Sequence, residues 1–177
     1  MSEPDPECRV VYQGRRIDLA LKRIVRSDGS TTERELVLHP GAVALLPMVD
    51  QDHVCLVKNE RFAVGKTLLE VPAGTIDPGE RPIETARREL AEETGYTAGR
   101  ITLVREWYVS PGVMNERMFL FLCEDLLAGP QALEPDEKIE MVVMEWREAV
   151  ALALRGAIED AKTMLALLIL DRQRSGP

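Results

Sequence analysis

Apolar runs of strand length recur along the chain between polar turns. They predict core strands over 41–49, 53–58, 101–109, 116–124 and 139–144, the first two joined by the turn Asp50-Gln51-Asp52. Two longer stretches, 146–155 and 160–172, predict helices that are separated by Gly156. The polar, proline-containing segment 128–138 predicts a loop before the last strand.

The N-terminal part of the chain has strand-like stretches that are rich in arginine. Residues 10–26 are typical of strand structure around the turn Gln13-Gly14-Arg15-Arg16. Ser27-Asp28-Gly29-Ser30 predicts a hairpin turn, and 33–39 predicts the strand that follows it. We therefore expect an antiparallel β element over 9–40, preceded by an unordered segment at 1–8.

A helix is predicted over 82–94, after the turn Asp77-Pro78-Gly79. Pro82 suits the first helical position, where its missing N–H costs nothing, and Gly95 suits the left-handed residue after the last turn. At 100° per residue, one stripe of this helix carries four residues that are expected to pack: Ile83, Ala86, Leu90 and Thr94.

Three carboxylates, Glu89, Glu92 and Glu93, fall on the arc beside that stripe. Glu89 and Glu93 are one turn apart, so they repel each other by a few tenths of a kcal/mol in an isolated helix, as an order-of-magnitude estimate. A divalent cation reverses the sign of that interaction, and oxygen ligands favour Mg²⁺ or Mn²⁺. The alternative is a solvated acidic helix face, which needs no metal.

Composition narrows the function classes. With 177 residues, of which 45% are hydrophobic and 29% charged, the chain fits one globular domain over 1–177. A formal net charge of −8 argues against a general nucleic-acid binder. The longest apolar run, 164–170, is far shorter than the roughly 18 residues of a membrane span, and the polar N-terminus is unlike a signal peptide, so we expect a cytoplasmic protein.

The cysteines and histidines indicate no further chemistry. Cys8, Cys55 and Cys123 lack metal-ligand spacing, and the last two lie in apolar runs, which is typical of reduced core thiols. No Ser-His-Asp or Cys-His grouping is visible, which argues against a covalent intermediate.

Residues 74–96, hereafter the acidic motif, resemble the Nudix box. The matching positions are Gly74, Glu80, Arg88, Glu89, Leu90, Glu92, Glu93 and Gly95, and Tyr96 replaces the final apolar residue. The resemblance implies an α/β/α sandwich with a mixed β-sheet and metal-dependent hydrolysis of a pyrophosphate. It implies that Glu89, Glu92 and Glu93 bind the metal and that Glu92, Glu93 and Arg88 take part in catalysis. Because Arg88 lies one turn from both Glu84 and Glu92, we expect it to hold these carboxylates in place, and we expect Glu80 to anchor the turn through Arg88.

Other segments resemble the ADP-ribose pyrophosphatase branch of that family. In the N-terminal element the matches are Tyr12, Gly14, Arg34, Glu35, His39 and Gly41. In this branch the element is exchanged between two subunits and helps to form the adenine pocket, which implies a homodimer with swapped strands. Pro111 lies 15 residues after Tyr96, a spacing that is characteristic of ADP-ribose hydrolases, although Val113 replaces an aromatic residue of the branch.

The branch resemblance also implies individual site residues. Arg61, in Asn59-Glu60-Arg61 where the branch has Gln-Tyr-Arg, matches a substrate-contacting position. Glu70-Val71-Pro72-Ala73-Gly74 places Glu70 at the substrate and the Ala73 carbonyl on the metal. Pro111 and Glu116 are implied to be further substrate contacts. Glu137 is implied to be the catalytic base or an extra metal ligand, with Glu134 and Asp136 as rivals. Ile158–Thr163 also matches the start of the branch's final helix.

The activity implied by these segments is hydrolysis of ADP-ribose to AMP and ribose 5-phosphate, with Mg²⁺ or Mn²⁺ as cofactor. Another nucleotide sugar, such as GDP-mannose, is an alternative substrate, because base contacts come from N-terminal strands that the sequence does not resolve. A non-catalytic nucleotide-sensing module is a second alternative, although such modules normally have a broken box. No nucleic-acid or membrane partner is expected.

Overall fold

A computed structural model describes residues 7–133 and 138–176. In chain order the elements are β1 (Cys8–Gln13), β2 (Asp18–Val25), β3 (Thr31–Leu38), β4 (Ala42–Pro47), β5 (His53–Arg61), β6 (Lys66–Glu70), β7 (Ala73–Thr75), α1 (Pro82–Thr94), β8 (Tyr96–Tyr108), β9 (Arg117–Ala128), β10 (Ile139–Glu145), α2 (Trp146–Leu154) and α3 (Ala161–Arg174). The predicted α/β class is confirmed. The chain forms two compact units, which are described in turn.

The first unit contains the described residues up to Gly41 together with Glu106–Met118. Its sheet has the order β1-β2-β3, and both pairings are antiparallel. The later segment joins this unit through a parallel bridge between Val37 and Met114, and Asn115 Oδ1 accepts the His39 backbone N–H over 2.7 Å. The predicted N-terminal antiparallel element is confirmed, although β1 begins at Cys8, inside the segment that was expected to be unordered.

The second unit, Ala42–Arg105 with the chain from Phe119 onward, carries two sheets. Their strand orders are β10-β5-β6 and β7-β4-β9-β8. In the first sheet Val57 lies opposite both Met141 and Glu70. Strands β6 and β7 were not predicted, because they are short, flank Pro72 and show no clear alternation of apolar and polar residues.

Strand β4 lies at the centre of the second unit, and all of its residues are buried. Val43 and Leu45 share a core cluster with Ala86 and Leu90 of α1. Successive side chains of a strand point to opposite faces, so the alternate residues of β4 face away from α1, and α3 also contacts this strand. Helices therefore cover β4 on both sides, as a helix-sheet-helix sandwich requires.

Helix α1 has the predicted bounds and the predicted apolar stripe. Gly95 adopts the left-handed conformation with φ 67°, and its N–H donates to the Ala91 carbonyl. At the start of the helix, the Glu84 carboxylate accepts the backbone N–H of Arg81 over 2.9 Å. The neighbouring arc is not a solvated acidic face, since Glu89 and Glu93 are only 8% and 3% exposed.

Two further expectations concern the core and the helices. Cys55 and Cys123 are buried free thiols, as predicted, and burial raises the pKa of each to about 12. Among the helices that the structure describes, none is both long enough and apolar enough to cross a membrane.

Candidate active site

Two carboxylates of α1 lie against the backbone of strand β7. The Ala73 N–H donates to Glu93 Oε2 over 3.0 Å. A Cβ atom built on Gly74 would lie 1.8 Å from Glu89 Oε1, so a larger residue there would force that carboxylate to move. The tertiary fold thus brings together Ala73, Glu89 and Glu93, three of the four predicted metal ligands.

Arg88 lies among the carboxylates of the acidic motif and contacts several of them. Its Nε and Nη2 donate to the two oxygens of Glu80 over 3.1 and 3.0 Å. Its Nη1 donates to Glu89 Oε1 over 2.7 Å and to Glu92 Oε2 over 3.1 Å. The expected contacts with Glu80 and Glu92 are therefore present, whereas Glu84, also expected beside Arg88, pairs with Arg81 over 2.7 Å.

The pairing with Arg88 changes the ionisation of Glu80. Hydrogen bonds from the guanidinium lower the pKa of Glu80 to about 2, and the Thr85 hydroxyl, which donates over 2.8 Å, lowers it further. The same pairing raises the pKa of Arg88 above its ordinary value. Both groups are charged at neutral pH, so the turn before α1 is attached to the helix by an ion pair.

The donor set of this site fits a hard divalent cation. Its donors are carboxylate oxygens and backbone carbonyls: Glu80, Glu89 and Glu92 contact the guanidinium of Arg88, and Glu93 accepts the Ala73 backbone N–H. Within 7–133 and 138–176, however, no three Asp, Glu, His or Cys side chains are arranged to hold an ion. The Arg88 contacts use one oxygen of Glu89 and one oxygen of Glu92.

A second charged cluster lies at the end of β6. Glu70, which is 1% exposed, accepts from Arg61 through both oxygens over 2.8 and 2.7 Å and also accepts from Lys162 Nζ. Burial on its own raises the pKa of Glu70, but the two cations outweigh it and the pKa is lowered. Arg61 and Glu70, predicted separately as substrate contacts, are thus partners of each other.

Sequence reasoning missed Lys162, although one signal was available. The residue lies in the first turn of α3, where the helix dipole disfavours a cation. The structure compensates this charge through Glu70 together with Asp160, whose Oδ1 lies 3.0 Å from Nζ.

The remaining predicted site residues lie elsewhere in the chain. Pro111 and Glu116 belong to the first unit, in the connection between β8 and β9, where the Glu116 carbonyl accepts the Val109 N–H over 3.1 Å. Glu137 and its rivals Glu134 and Asp136 lie outside the described residues. The roles of these residues stay predictions.

Comparisons with known proteins give a consistent result. A family model described as NUDIX domain matches residues 38–167. The chain is 38% identical over 162 residues to the ADP-ribose pyrophosphatase of Bacillus subtilis strain 168, and the aligned region covers 90% of this chain and 88% of that protein. It is 32% identical over 167 residues to the methanol dehydrogenase activator of Bacillus methanolicus, with coverages of 93% and 90%. A crystal structure of an ADP compounds hydrolase superposes with a TM-score of 0.79 at 26% identity, covering 94% of this chain and 90% of that one.

Proposed function

This chain belongs to the Nudix family, and we propose that it hydrolyses the pyrophosphate bond of ADP-ribose to give AMP and ribose 5-phosphate. The observation that carries the proposal is the burial of Glu89 and Glu93 against the Ala73-Gly74 backbone. Burying two carboxylates beside each other is costly unless cations compensate them, so the arrangement favours a site that binds positive charge. The substrate is supported by the similarity to an ADP-ribose pyrophosphatase over most of both chains.

Nudix hydrolases generally use a divalent metal, and we propose Mg²⁺ or Mn²⁺ here. Glu89, Glu92 and Glu93, with the Ala73 carbonyl, are the residues that would hold it. When bound, a divalent cation neutralises charge on the pyrophosphate and acidifies nearby water.

The protein's own residues orient the reactants. Arg88, fixed by Glu80, keeps Glu89 and Glu92 in their positions on one edge of α1. Arg61, held by Glu70, binds a phosphate group of the substrate, and Pro111 and Glu116 contribute further contacts. Water attacks one phosphorus atom, forming a new P–O bond as the bridging P–O bond breaks, and Glu137 accepts the proton of that water.

The quaternary structure is a proposal too. We infer a homodimer in which the β1-β2-β3 sheet is exchanged between subunits, because this sheet exposes several apolar side chains, among them Val10, Tyr12 and Val25. The cytoplasmic location that was expected from the sequence stays a prediction.

The test of the activity is a substrate panel. Purified protein with Mg²⁺ is incubated with ADP-ribose, GDP-mannose and other nucleoside diphosphate derivatives, and a phosphomonoesterase releases phosphate from the products alone. We expect ADP-ribose to have the highest kcat/KM. Faster turnover of GDP-mannose would move the assignment to that substrate, and binding without turnover of any compound would favour the sensing module.

A further inference from the structure

Lys162 occupies a position where the charge of a lysine destabilises the helix unless a carboxylate pairs with it. Its side chain is 14% exposed, and it occupies the first turn of α3, whose N-terminal end attracts anions. Asp160 caps that end by accepting the Thr163 N–H over 2.9 Å, and its other oxygen contacts Lys162. The second partner of Lys162 is the buried carboxylate of Glu70.

Glu70 in turn determines the orientation of Arg61. The two oxygens of Glu70 accept from Nε and Nη2 of Arg61, a bidentate arrangement that fixes the plane of the guanidinium. A guanidinium has five N–H groups, and these bonds use one on each of two nitrogens. The others point away from Glu70, and the Arg61 side chain is 37% exposed. Arg61 therefore presents further donors on its outer edge.

This chain of contacts reaches the acidic motif. Hydrogen bonds to Glu70 raise the pKa of Arg61, and the negative charge of Glu93 acts in the same direction, so Arg61 lies within electrostatic reach of α1. Residues 71–73, which follow Glu70 in the chain, are held from two sides. Thr163 Oγ1 accepts the Val71 N–H over 2.8 Å, and Glu93 accepts the Ala73 N–H over 3.0 Å.

We propose that Lys162 is a positioning residue: by holding Glu70, it orients the outer edge of Arg61 toward a phosphate group of the substrate. The inference rests on the proposed function for the identity of that substrate. If Lys162 were merely structural, it would neutralise Glu70 and support folding, and the effect of its removal on KM would be the same with and without Arg61. The two roles differ in what happens when Arg61 is removed.

The kinetic test is a double-mutant cycle with ADP-ribose as substrate. Lys162→Met should raise KM at least roughly tenfold, the scale of one charge-assisted hydrogen bond, with little change in kcat. In an Arg61→Ala background the same substitution should have no further effect on KM, because the group it orients is gone. Lys162→Arg, which keeps the charge, should recover most of the affinity.

Lys66→Met is the matched control, since Lys66 makes an exposed ion pair with Glu159, close to the start of α3. It should leave KM unchanged. An equal rise in KM from Lys162→Met with and without Arg61 would overturn the proposal, as would an unchanged KM. Thermal unfolding of every variant identifies misfolding, and Lys162→Gln replaces Lys162→Met if the latter does not fold.

A second measurement needs no substrate. In ¹⁵N NMR spectra, the Arg61 Nε–H signal, assigned by its loss in Arg61→Lys, should exchange with solvent at least roughly tenfold faster in Lys162→Met, because its bond to Glu70 loosens. Lys66→Met should not change it. If the unaltered protein hydrolyses no compound of the panel, the proposed function fails, while unchanged Arg61 exchange in Lys162→Met refutes the positioning role separately.

Discussion

The backbone N–H of Ala73 donates a hydrogen bond to Oε2 of Glu93 over 3.0 Å. This bond joins strand β7 to the last turn of α1, and its acceptor is a carboxylate that is almost completely buried. The residue expected to offer its carbonyl to a cation is thereby held beside a carboxylate expected to bind the same cation.

Replacing Glu93 tests that arrangement. Glu93→Gln keeps an oxygen that can accept the Ala73 N–H but removes the charge, so the fold should survive while kcat falls at least about a hundredfold. The measurement is steady-state turnover of ADP-ribose at saturating Mg²⁺. Glu84→Gln removes the same charge from the same helix, at a residue paired with Arg81, and should retain activity. Near-normal turnover of Glu93→Gln would contradict the assignment.

Gly74 offers a steric test of the neighbouring carboxylate. Gly74→Ala places a methyl group 1.8 Å from Oε1 of Glu89, so the buried side chain must move. We expect a loss of roughly 1–3 kcal/mol in the free energy of unfolding, together with a lower kcat/KM. Denaturant unfolding checks the first effect. At Gly112 an added Cβ meets nothing within 4 Å, so Gly112→Ala is the stability control and should be close to neutral.

The ion pair between Glu80 and Arg88 predicts a dependence of stability on pH. The folded pKa of Glu80, about 2, lies below its ordinary value of 4.5, so the pair stabilises the fold fully above pH 4.5 and progressively less as pH falls toward 2. Glu80→Gln should lower Tm at pH 7 by on the order of 2–4 °C, and the difference should shrink below pH 4.5. Calorimetry across this range tests it, with Glu159→Gln as an exposed control. A Tm difference that stays constant with pH would show that the ion pair is not its source.

Exchange of the N-terminal sheet predicts a dimer in solution. Light scattering should give about twice the chain mass of 19.8 kDa. Tyr12→Glu, which places a charge among exposed apolar residues of β1, should weaken the dimer at least roughly tenfold, because burying that charge is costly. Phe62→Ser, at an exposed residue between β5 and β6, should leave the mass unchanged. A fully active monomer would exclude the exchange.

Glu137 is expected to act as the base, or as an extra metal ligand, from the segment before β10. Glu137→Gln should lower kcat with little change in KM, because the interaction is made chiefly in the transition state. Glu134→Gln and Asp136→Asn control for the general loss of negative charge. If Glu137→Gln is silent while one of these control substitutions abolishes turnover, the residue changed in that control is the base. Three silent variants would leave activation of water to the residues of the acidic motif.

Local features were readable from the sequence alone. Pro82 and Gly95 determine where α1 begins and ends, because each acts on its own backbone, and the 3.6-residue period selects the apolar stripe. The register of the acidic motif placed Glu89, Glu92 and Glu93 on one arc of the helix for the same reason. The resemblance to a known family then supplied roles for these residues, and the comparisons confirmed the family.

Only the tertiary structure decided how these charges are compensated. Glu89 and Glu93 are buried because β7, which has no clear strand pattern, lies against them. Arg61, Glu70 and Lys162 come from β5, β6 and α3, and their meeting depends on strand pairing and helix packing over long sequence distances. A helical or strand period describes which side chains share a face. It carries no information about which distant charge lies opposite them, and the free energy of a buried carboxylate depends on that partner.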